Sequence, residues 1–303
     1  MENYGFLRLI LPFFVSLATF TSVQAQGIDL LDGKTLQPVA PSAVIQNIQP
    51  GSVLILGENH GLAAHRDQHL ILLNLLREKG LKISVGMEFV NYPDQIFLDQ
   101  YTSQQLEDEQ FLNLINWNGF PFEFYKQQIL FPNRTEGEKT LGLNIPRFIT
   151  SKIAKSGLES LTASERNLLP LDFQIGRESY KTRFANSIHA PAGPVLDRYF
   201  TAQSAWDDTM AFQSVQFLNS YPDQVLVIVV GEFHAQFGGG LADRIRARKP
   251  EASIITLSQL WAVKNLEDGS QVTLTDDEIK AEIQPSPTEG PRGDFIWVSK
   301  PQP

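Results

Sequence analysis

The chain has 303 residues, of which 42% are hydrophobic and 19% are charged, a composition typical of a globular protein with a sizeable core. Its net charge is −9 and it has no long basic run, which argues against nucleic acid and an anionic membrane surface as main partners. Because the chain has no cysteine, disulfides, thiolate metal sites, a cysteine nucleophile and a lipid-modified N-terminal cysteine are all excluded.

The first 25 residues predict a secretory signal peptide. An apolar stretch over residues 9–20 is too short to span a bilayer comfortably. Val23 and Ala25 then form a small-x-small cleavage pattern. We therefore expect residues 1–25 to be removed from the mature chain. The mature protein is expected to be soluble, without a transmembrane span, exported to a periplasm or secreted, and not a lipoprotein.

Residues 27–90 predict the first part of an α/β core. An apolar, β-branched run over 51–56 predicts a buried strand of a parallel sheet. A helix is predicted over 63–79, with Gly80 as its C-cap, and a second strand over 82–89. This strand–helix–strand unit predicts a βαβ crossover.

Residues 91–200 predict a helical cap inserted into the core. The segment is rich in Gln, Asp, Glu and aromatic residues, although residues 139–145 also fit a third strand. One long helix is predicted over 195–219, and its part from about 201 to 219 returns the chain to the core. The predicted fold class is α/β, a mostly parallel sheet flanked by helices with an all-helical cap over its carboxyl edge.

The second part of the core is predicted over residues 220–303. A strong apolar run at 225–230 predicts another buried strand. A further strand is expected over 252–257, a polar and proline-rich loop over 265–292, and an edge strand over 294–298.

Acidic and histidine side chains follow three of the predicted strands, twice within the sequence Gly-Glu-x-His. Because the carboxyl ends of parallel strands meet at one edge of a sheet, we expect these side chains to converge there. The predicted catalytic residues are Glu58, His60, Glu88, Glu232 and His234. Imidazole and carboxylate groups suit a divalent ion such as Zn, Mn, Fe or Co, which can activate water for hydrolysis. The alternative is that Glu58 caps a helix and the histidines are hydrogen-bonded core residues.

Other polar residues are predicted to line a pocket at the same edge. They are Asn144, Arg147, Gln203, Trp206 and Asp207. The last three share one face of the long helix, where Trp206 is most simply a core residue and Asp207 requires a partner if it is buried. His65 and His69 share a face of the predicted helix over 63–79, and we expect them to be solvated or to face the cap.

Five short motifs occur in a fixed order along the chain. They lie at residues 56–60, 86–89, 143–147, 202–211 and 231–234. Together they resemble the ChaN-like family of haem-binding uptake proteins, which shares a superfamily with the TIKI metalloproteases and the erythromycin esterases. The resemblance runs from about residue 48 to 300.

The resemblance implies a haem-binding protein of iron acquisition with a parallel α/β core and a smaller helical cap. It implies a haem held near the cap, at a homodimer interface, with a tyrosine on the iron. The candidate tyrosines by location are Tyr92, Tyr125, Tyr180 and Tyr199. An aromatic slot is expected from Trp117, Phe120, Phe122 and Phe124.

The same superfamily implies a second function, a metal-dependent hydrolase or protease of TIKI-like type. The TIKI motifs map here onto His60, Glu88 and His234, which would bind Zn, Mn or Co, with Glu58 or Glu232 as general base. The partner at this site would be a small-molecule or peptide ligand, and the two functions are not exclusive, because a polar site at the sheet edge can lie beneath a haem slot. The sequence leaves open whether the protein is an enzyme.

Overall fold

The computed structural model describes residues 28–189, 191–266 and 270–301. The predicted signal peptide, residues 1–25, lies outside the described residues. Within those ranges, no helix combines the length and the apolar character that are needed to cross a membrane.

Strands and helices alternate along most of the described chain. The strands are β1 (Ile28–Asp32), β2 (Val53–Glu58), β3 (Lys82–Asn91), β4 (Thr140–Asn144), β5 (Gln224–Gly231), β6 (Ile254–Trp261), β7 (Val263–Asn265), β8 (Gln271–Thr273) and β9 (Phe295–Ser299). The α-helices are α1 (Pro41–Ile45), α2 (Ala63–Glu78), α3 (Gln95–Thr102), α4 (Asp108–Leu114), α5 (Lys126–Ile129), α6 (Arg147–Ser156), α7 (Ala163–Arg166), α8 (Glu178–Ser187), α9 (Pro194–Ser220), α10 (Glu232–Ala235), α11 (Leu241–Arg248) and α12 (Asp276–Ile283).

Seven of the described strands form one sheet in the order β1-β9-β6-β2-β5-β3-β4. Every neighbouring pair is parallel except β1 and β9, which are antiparallel. The central strands β2 and β5 are buried along their whole length, as their uninterrupted apolar sequences predict. The prediction of a mostly parallel sheet flanked by helices is confirmed.

Residues 140–144 form β4, an edge strand parallel to β3, which confirms the third strand predicted over 139–145. The opposite edge of the sheet differs from the prediction. The strand predicted at 294–298 is not an edge, because β1 pairs with the outer side of β9. The sequence of β1 has five residues, with aspartates at positions 29 and 32, and its apolar and polar residues do not alternate clearly. The sequence therefore did not predict this strand.

The segment over 265–292, predicted as loop, contains β8 and α12. A capping box starts α12: the Glu278 backbone N–H donates to the Thr275 hydroxyl, and the Thr275 backbone N–H donates to the Glu278 carboxylate. This pattern was present in the sequence and predicts a helix start.

The outer edge of β4 is covered by the side chain of Gln95 in α3. Its Nε2 donates to the Thr140 carbonyl at 2.8 Å, and its Oε1 accepts from the Gly142 N–H at 2.9 Å. The amide thus replaces a neighbouring strand at an edge that could otherwise pair with another chain.

We expect Gln95→Ala to lower the free energy of unfolding by about 1–2 kcal/mol, because two strand groups lose their partners. The free edge should also increase aggregation. Urea unfolding and light scattering measure the two effects. Gln100→Ala on the same helix is the matched control and should change stability by less than about 0.5 kcal/mol. Equal effects of the two variants would contradict the edge-covering role.

Candidate functional site

The carboxyl ends of β2, β5 and β3 lie side by side and bring the predicted catalytic residues to one edge of the sheet. An open cleft of about 430 Å³ lies there. Its lining includes Glu58, His60, Glu232 and His234, together with Gln203. We call it the strand-end cleft. The convergence expected from the parallel sheet is therefore present in the fold.

Glu58 and His60 form a hydrogen-bonded dyad at this cleft. The His60 Nδ1 lies 3.1 Å from the Glu58 Oε1, and the Tyr125 hydroxyl donates to the same oxygen at 2.8 Å. His60 is 28% exposed, whereas the Glu58 side chain is buried. An added Cβ at Gly231 would lie 2.8 Å from the His60 ring, so a larger residue there would displace that ring. The dyad engages one nitrogen of the His60 ring, and His60 is one of the residues that line the cleft.

His234 lies between two carboxylates. Its Nδ1 is 2.6 Å from the Asp207 Oδ1, and its Nε2 is 3.4 Å from the Glu88 Oε1. Burial opposes protonation of His234, but Glu88 and Asp207 outweigh it and raise its pKa above the usual value. Burial acts to raise the pKa of Glu88, but His234 outweighs it and lowers that pKa. We infer that His234 is an imidazolium in this arrangement.

The predicted metal ligands His60, Glu88 and His234 share this edge, but His234 has both ring nitrogens engaged by carboxylates. Across the described ranges, no group of three His, Cys, Asp or Glu side chains is arranged to hold a metal ion. A divalent metal at this edge stays a prediction.

Glu232 is already engaged in an ion pair. The Arg292 Nε donates to its Oε1 at 2.7 Å, and the Ser258 hydroxyl donates to the same oxygen. Both predicted general bases are therefore hydrogen-bonded, Glu58 to His60 and Tyr125 and Glu232 to Arg292 and Ser258, and the role of each stays a prediction.

The predicted pocket-lining residues divide into two groups. Gln203 lines the strand-end cleft, and Asp207 lies buried behind His234. The Trp206 ring is 6.2 Å from the His234 ring. Asn144 and Arg147 are not among the residues that line the cleft.

His65 and His69 were expected to be solvated or to face the cap. The expectation that they are solvated is wrong, whereas His69 does meet the cap, because its Nδ1 lies 3.4 Å from the Gln128 Nε2. Both side chains are fully buried. The His69 Nε2 is 2.6 Å from the Gln259 Oε1, and the His65 Nδ1 accepts from the Asn59 N–H at 3.0 Å. The helical spacing placed both on one face of α2, but only the packed structure shows that this face meets the sheet.

His65 should make the fold sensitive to acid. Burial, and then the neighbouring His69, lower the pKa of His65 to about 3, against 6.5 when unfolded. Between pH of about 3 and 6.5, the unfolded chain binds a proton at His65 that the folded chain does not. The free energy of unfolding therefore falls as the pH falls. We expect a loss of about 2 kcal/mol from this residue between pH 8 and pH 5.

Urea unfolding across that pH range measures the loss. His65→Asn keeps an acceptor for the Asn59 N–H and should remove this part of the pH dependence. His189→Asn, at an exposed position, is the control and should leave the dependence unchanged. A pH dependence that survives in the His65 variant would contradict the assignment.

A second cavity of about 520 Å³ lies between α9 residues 209–213 and the loop that follows α7. We call it the Tyr92 cavity. It is lined by Tyr92, Arg166, Asn167, Leu168, Leu169, Pro170, Leu171, Phe173, Thr209, Phe212 and Gln213. The Tyr92 hydroxyl donates to the Leu168 carbonyl at 3.1 Å. The cavity is thus mostly apolar with a phenol in its wall.

Comparison with known families decides what kind of protein carries these sites. The sequence model of a family described as haem-binding uptake, Tiki superfamily, ChaN matches residues 44–245, about two thirds of the chain. The chain belongs to this ChaN family. No curated protein matches its sequence significantly.

Solved structures agree with the fold of the ChaN family. A structure of ChaN of Campylobacter jejuni with cofacial haem binding has a TM-score of 0.62 at 17% identity, covering 91% of this chain and 98% of that chain. A mutant erythromycin esterase, EreC, has a TM-score of 0.46 at 12% identity, covering 86% and 92%. A succinoglycan biosynthesis protein has a TM-score of 0.47 at 13% identity, covering 92% and 95%. At these identities the first likeness shows the fold, and the other two carry no argument.

The four candidate tyrosines of this ChaN-family chain have different surroundings. Tyr125 and Tyr180 are fully buried and donate to Glu58 and Asp207, and burial raises the pKa of each phenol. Tyr199 is 42% exposed on the surface of α9. Tyr92 is the candidate in the wall of an apolar cavity.

The predicted aromatic slot is largely packed. Phe122 is buried, and Trp117 packs against its ring at a centroid distance of 5.3 Å. Phe120 covers the His60 ring at 4.9 Å. The loop that lines the Tyr92 cavity was not predicted as part of a site. Its sequence Leu-Leu-Pro-Leu at 168–171 is unusually apolar for a loop and could have indicated it.

Proposed function

We propose that this chain binds haem in the Tyr92 cavity as an exported protein of iron acquisition. The observation that supports it most directly is a mostly apolar cavity of about 520 Å³, with a tyrosine in its wall, in a member of a haem-binding family. Ligand sites are typically apolar clefts of this size with a few placed polar groups. A tyrosine oxygen is an established ligand of haem iron.

The remaining wall of the cavity suits a porphyrin. Phe173, Phe212 and the leucines offer apolar surface for the ring faces. Arg166 supplies a guanidinium, which can form charge-assisted hydrogen bonds with a propionate. Burial raises the pKa of Tyr92, so the free protein keeps the phenol protonated and the iron must displace that proton.

The proposal includes a homodimer. Cofacial haem binding, as described for ChaN of Campylobacter jejuni, places porphyrins face to face. Two copies of this chain that present their Tyr92 cavities to one another would supply that arrangement. Sedimentation with and without hemin should show dimers when each chain carries one hemin.

The test of the function is a hemin titration read by the Soret band. We expect saturable binding of about one hemin per chain with micromolar or tighter affinity. Tyr92→Phe should weaken binding at least tenfold, because it removes the iron ligand and keeps the ring. Tyr199→Phe, the exposed candidate, is the matched control and should bind as the unaltered chain does.

A flat titration of the unaltered protein would overturn haem binding itself. If Tyr92→Phe bound hemin with unchanged affinity and an unchanged spectrum, Tyr92 would not be the iron ligand and the haem site would lie elsewhere in the chain.

A divalent metal on His60, Glu88 and His234 is the less favoured alternative. Both ring nitrogens of His234 already face carboxylates, Nδ1 at 2.6 Å from Asp207 and Nε2 at 3.4 Å from Glu88. Metal analysis of the purified protein tests this alternative against a variant with both His60→Ala and His234→Ala. A metal bound by the unaltered chain and lost from the variant would support the hydrolase.

A further inference from the structure

The loop that walls the Tyr92 cavity is fastened at several points. The Tyr92 hydroxyl holds the Leu168 carbonyl at the front of the loop. Behind it, Asp172 pairs with Arg248, and the Gln174 N–H donates to Asp208. The Leu171 side chain between these points is fully exposed. Of these tethers, the Tyr92 hydrogen bond is the one inside the cavity.

That hydrogen bond cannot coexist with coordination of a metal by the same oxygen. As a donor, Tyr92 needs its proton, and a metal-bound phenolate has none. An anionic oxygen beside a carbonyl oxygen at 3.1 Å is repulsive. Binding a metal through Tyr92 therefore breaks its contact with Leu168.

A ferric porphyrin that carries hydroxide would supply the other reactant. The Tyr92 O–H bond and the iron–hydroxide bond would break, an iron–phenolate bond would form, and the proton and the hydroxide would leave together as water. No electron is transferred and no further reactant is needed.

We propose that the hydrogen bond between Tyr92 and Leu168 is a latch on the loop over 167–173 that makes the cavity selective for porphyrins carrying an oxygen-binding metal. A metalloporphyrin replaces the latch with a bond to the phenolate oxygen, and the loop loses its tether inside the cavity. A metal-free porphyrin must open the loop against the latch and gains no bond in return. This inference rests on the proposed function, because it takes Tyr92 as the ligand.

The latch predicts effects of opposite sign for two porphyrins in one variant. Tyr92→Phe removes both the ligand and the latch, so hemin should bind at least tenfold more weakly. Metal-free protoporphyrin IX should bind more tightly, by up to about tenfold, the equivalent of one hydrogen bond. A purely structural role for Tyr92 would shift both affinities in the same direction. Tyr199→Phe should change neither.

Hydrogen exchange without any porphyrin tests the latch on its own. Amides over 167–173 should exchange up to about tenfold faster in Tyr92→Phe than in the unaltered chain or in Tyr199→Phe. Unchanged exchange of these amides, or weaker binding of metal-free protoporphyrin to Tyr92→Phe, would overturn the latch.

The two failures are distinguishable. If hemin does not bind the unaltered chain, the proposed function fails, while the exchange measurement still reports the latch. If hemin binding depends on Tyr92 but the loop amides and protoporphyrin affinity do not, the latch alone fails.

Discussion

Replacing Glu138 by alanine is expected to lower the free energy of unfolding by about 3–5 kcal/mol. The Glu138 side chain is fully buried and accepts from both terminal nitrogens of Arg77. It also accepts the backbone N–H groups of Ile83 at 2.9 Å and Asn133 at 2.6 Å. The substitution leaves a guanidinium and two backbone donors without this partner, where β3 begins and the chain turns into β4.

Urea unfolding of Glu138→Ala measures this cost. The matched control is Glu136→Ala, because Glu136 lies two residues away and is exposed. The control should differ from the unaltered protein by less than about 0.5 kcal/mol. If both variants unfolded at the same urea concentration, the buried Glu138 carboxylate would not be the anchor that the geometry indicates.

Asp208→Ala is expected to have a cost of similar size, about 3–5 kcal/mol. The Asp208 carboxylate is buried, accepts from the Arg248 Nε at 3.1 Å and from its Nη2 at 2.7 Å, and also accepts the Gln174 N–H at 3.0 Å. Its removal leaves the Nε and Nη2 groups of Arg248 without this acceptor.

The other side of the same guanidinium provides the control. The Arg248 Nη1 donates to Asp172 at 2.8 Å, and the Asp172 side chain is 62% exposed. Because water screens an exposed pair, Asp172→Ala should cost less than about 1 kcal/mol. Chemical denaturation of the two variants compares a buried and an exposed carboxylate on one arginine. A larger loss for Asp172→Ala would contradict the assignment.

Helix α9 connects the two sites of the molecule. Gln203 lines the strand-end cleft and Asp207 holds His234 from behind it, whereas Thr209, Phe212 and Gln213 line the Tyr92 cavity. Asp208 also anchors the loop of that cavity through Gln174. The stability of α9 therefore bears on both sites, and substitutions at its buried carboxylates should be tested for folding before binding is interpreted.

The sequence by itself determined the central sheet and the residues at its edge. The runs that became β2 and β5 are apolar and β-branched throughout, which predicts strands covered on both faces. A parallel sheet gathers the residues after such strands at one edge, so Glu58, His60, Glu88 and His234 could be placed together without coordinates. The motifs after these strands also indicated the family that the comparison then showed.

The tertiary structure alone decided which partners those residues have. Tyr125 reaches Glu58 across 67 positions, and Asp207 reaches His234 across 27. Local periodicity reports which face of a helix or strand is apolar, but not what that face meets. For the same reason the burial of His65 and His69, the place of β1 and β4 at the sheet edges, and the cavity around Tyr92 became visible only when distant segments were packed together.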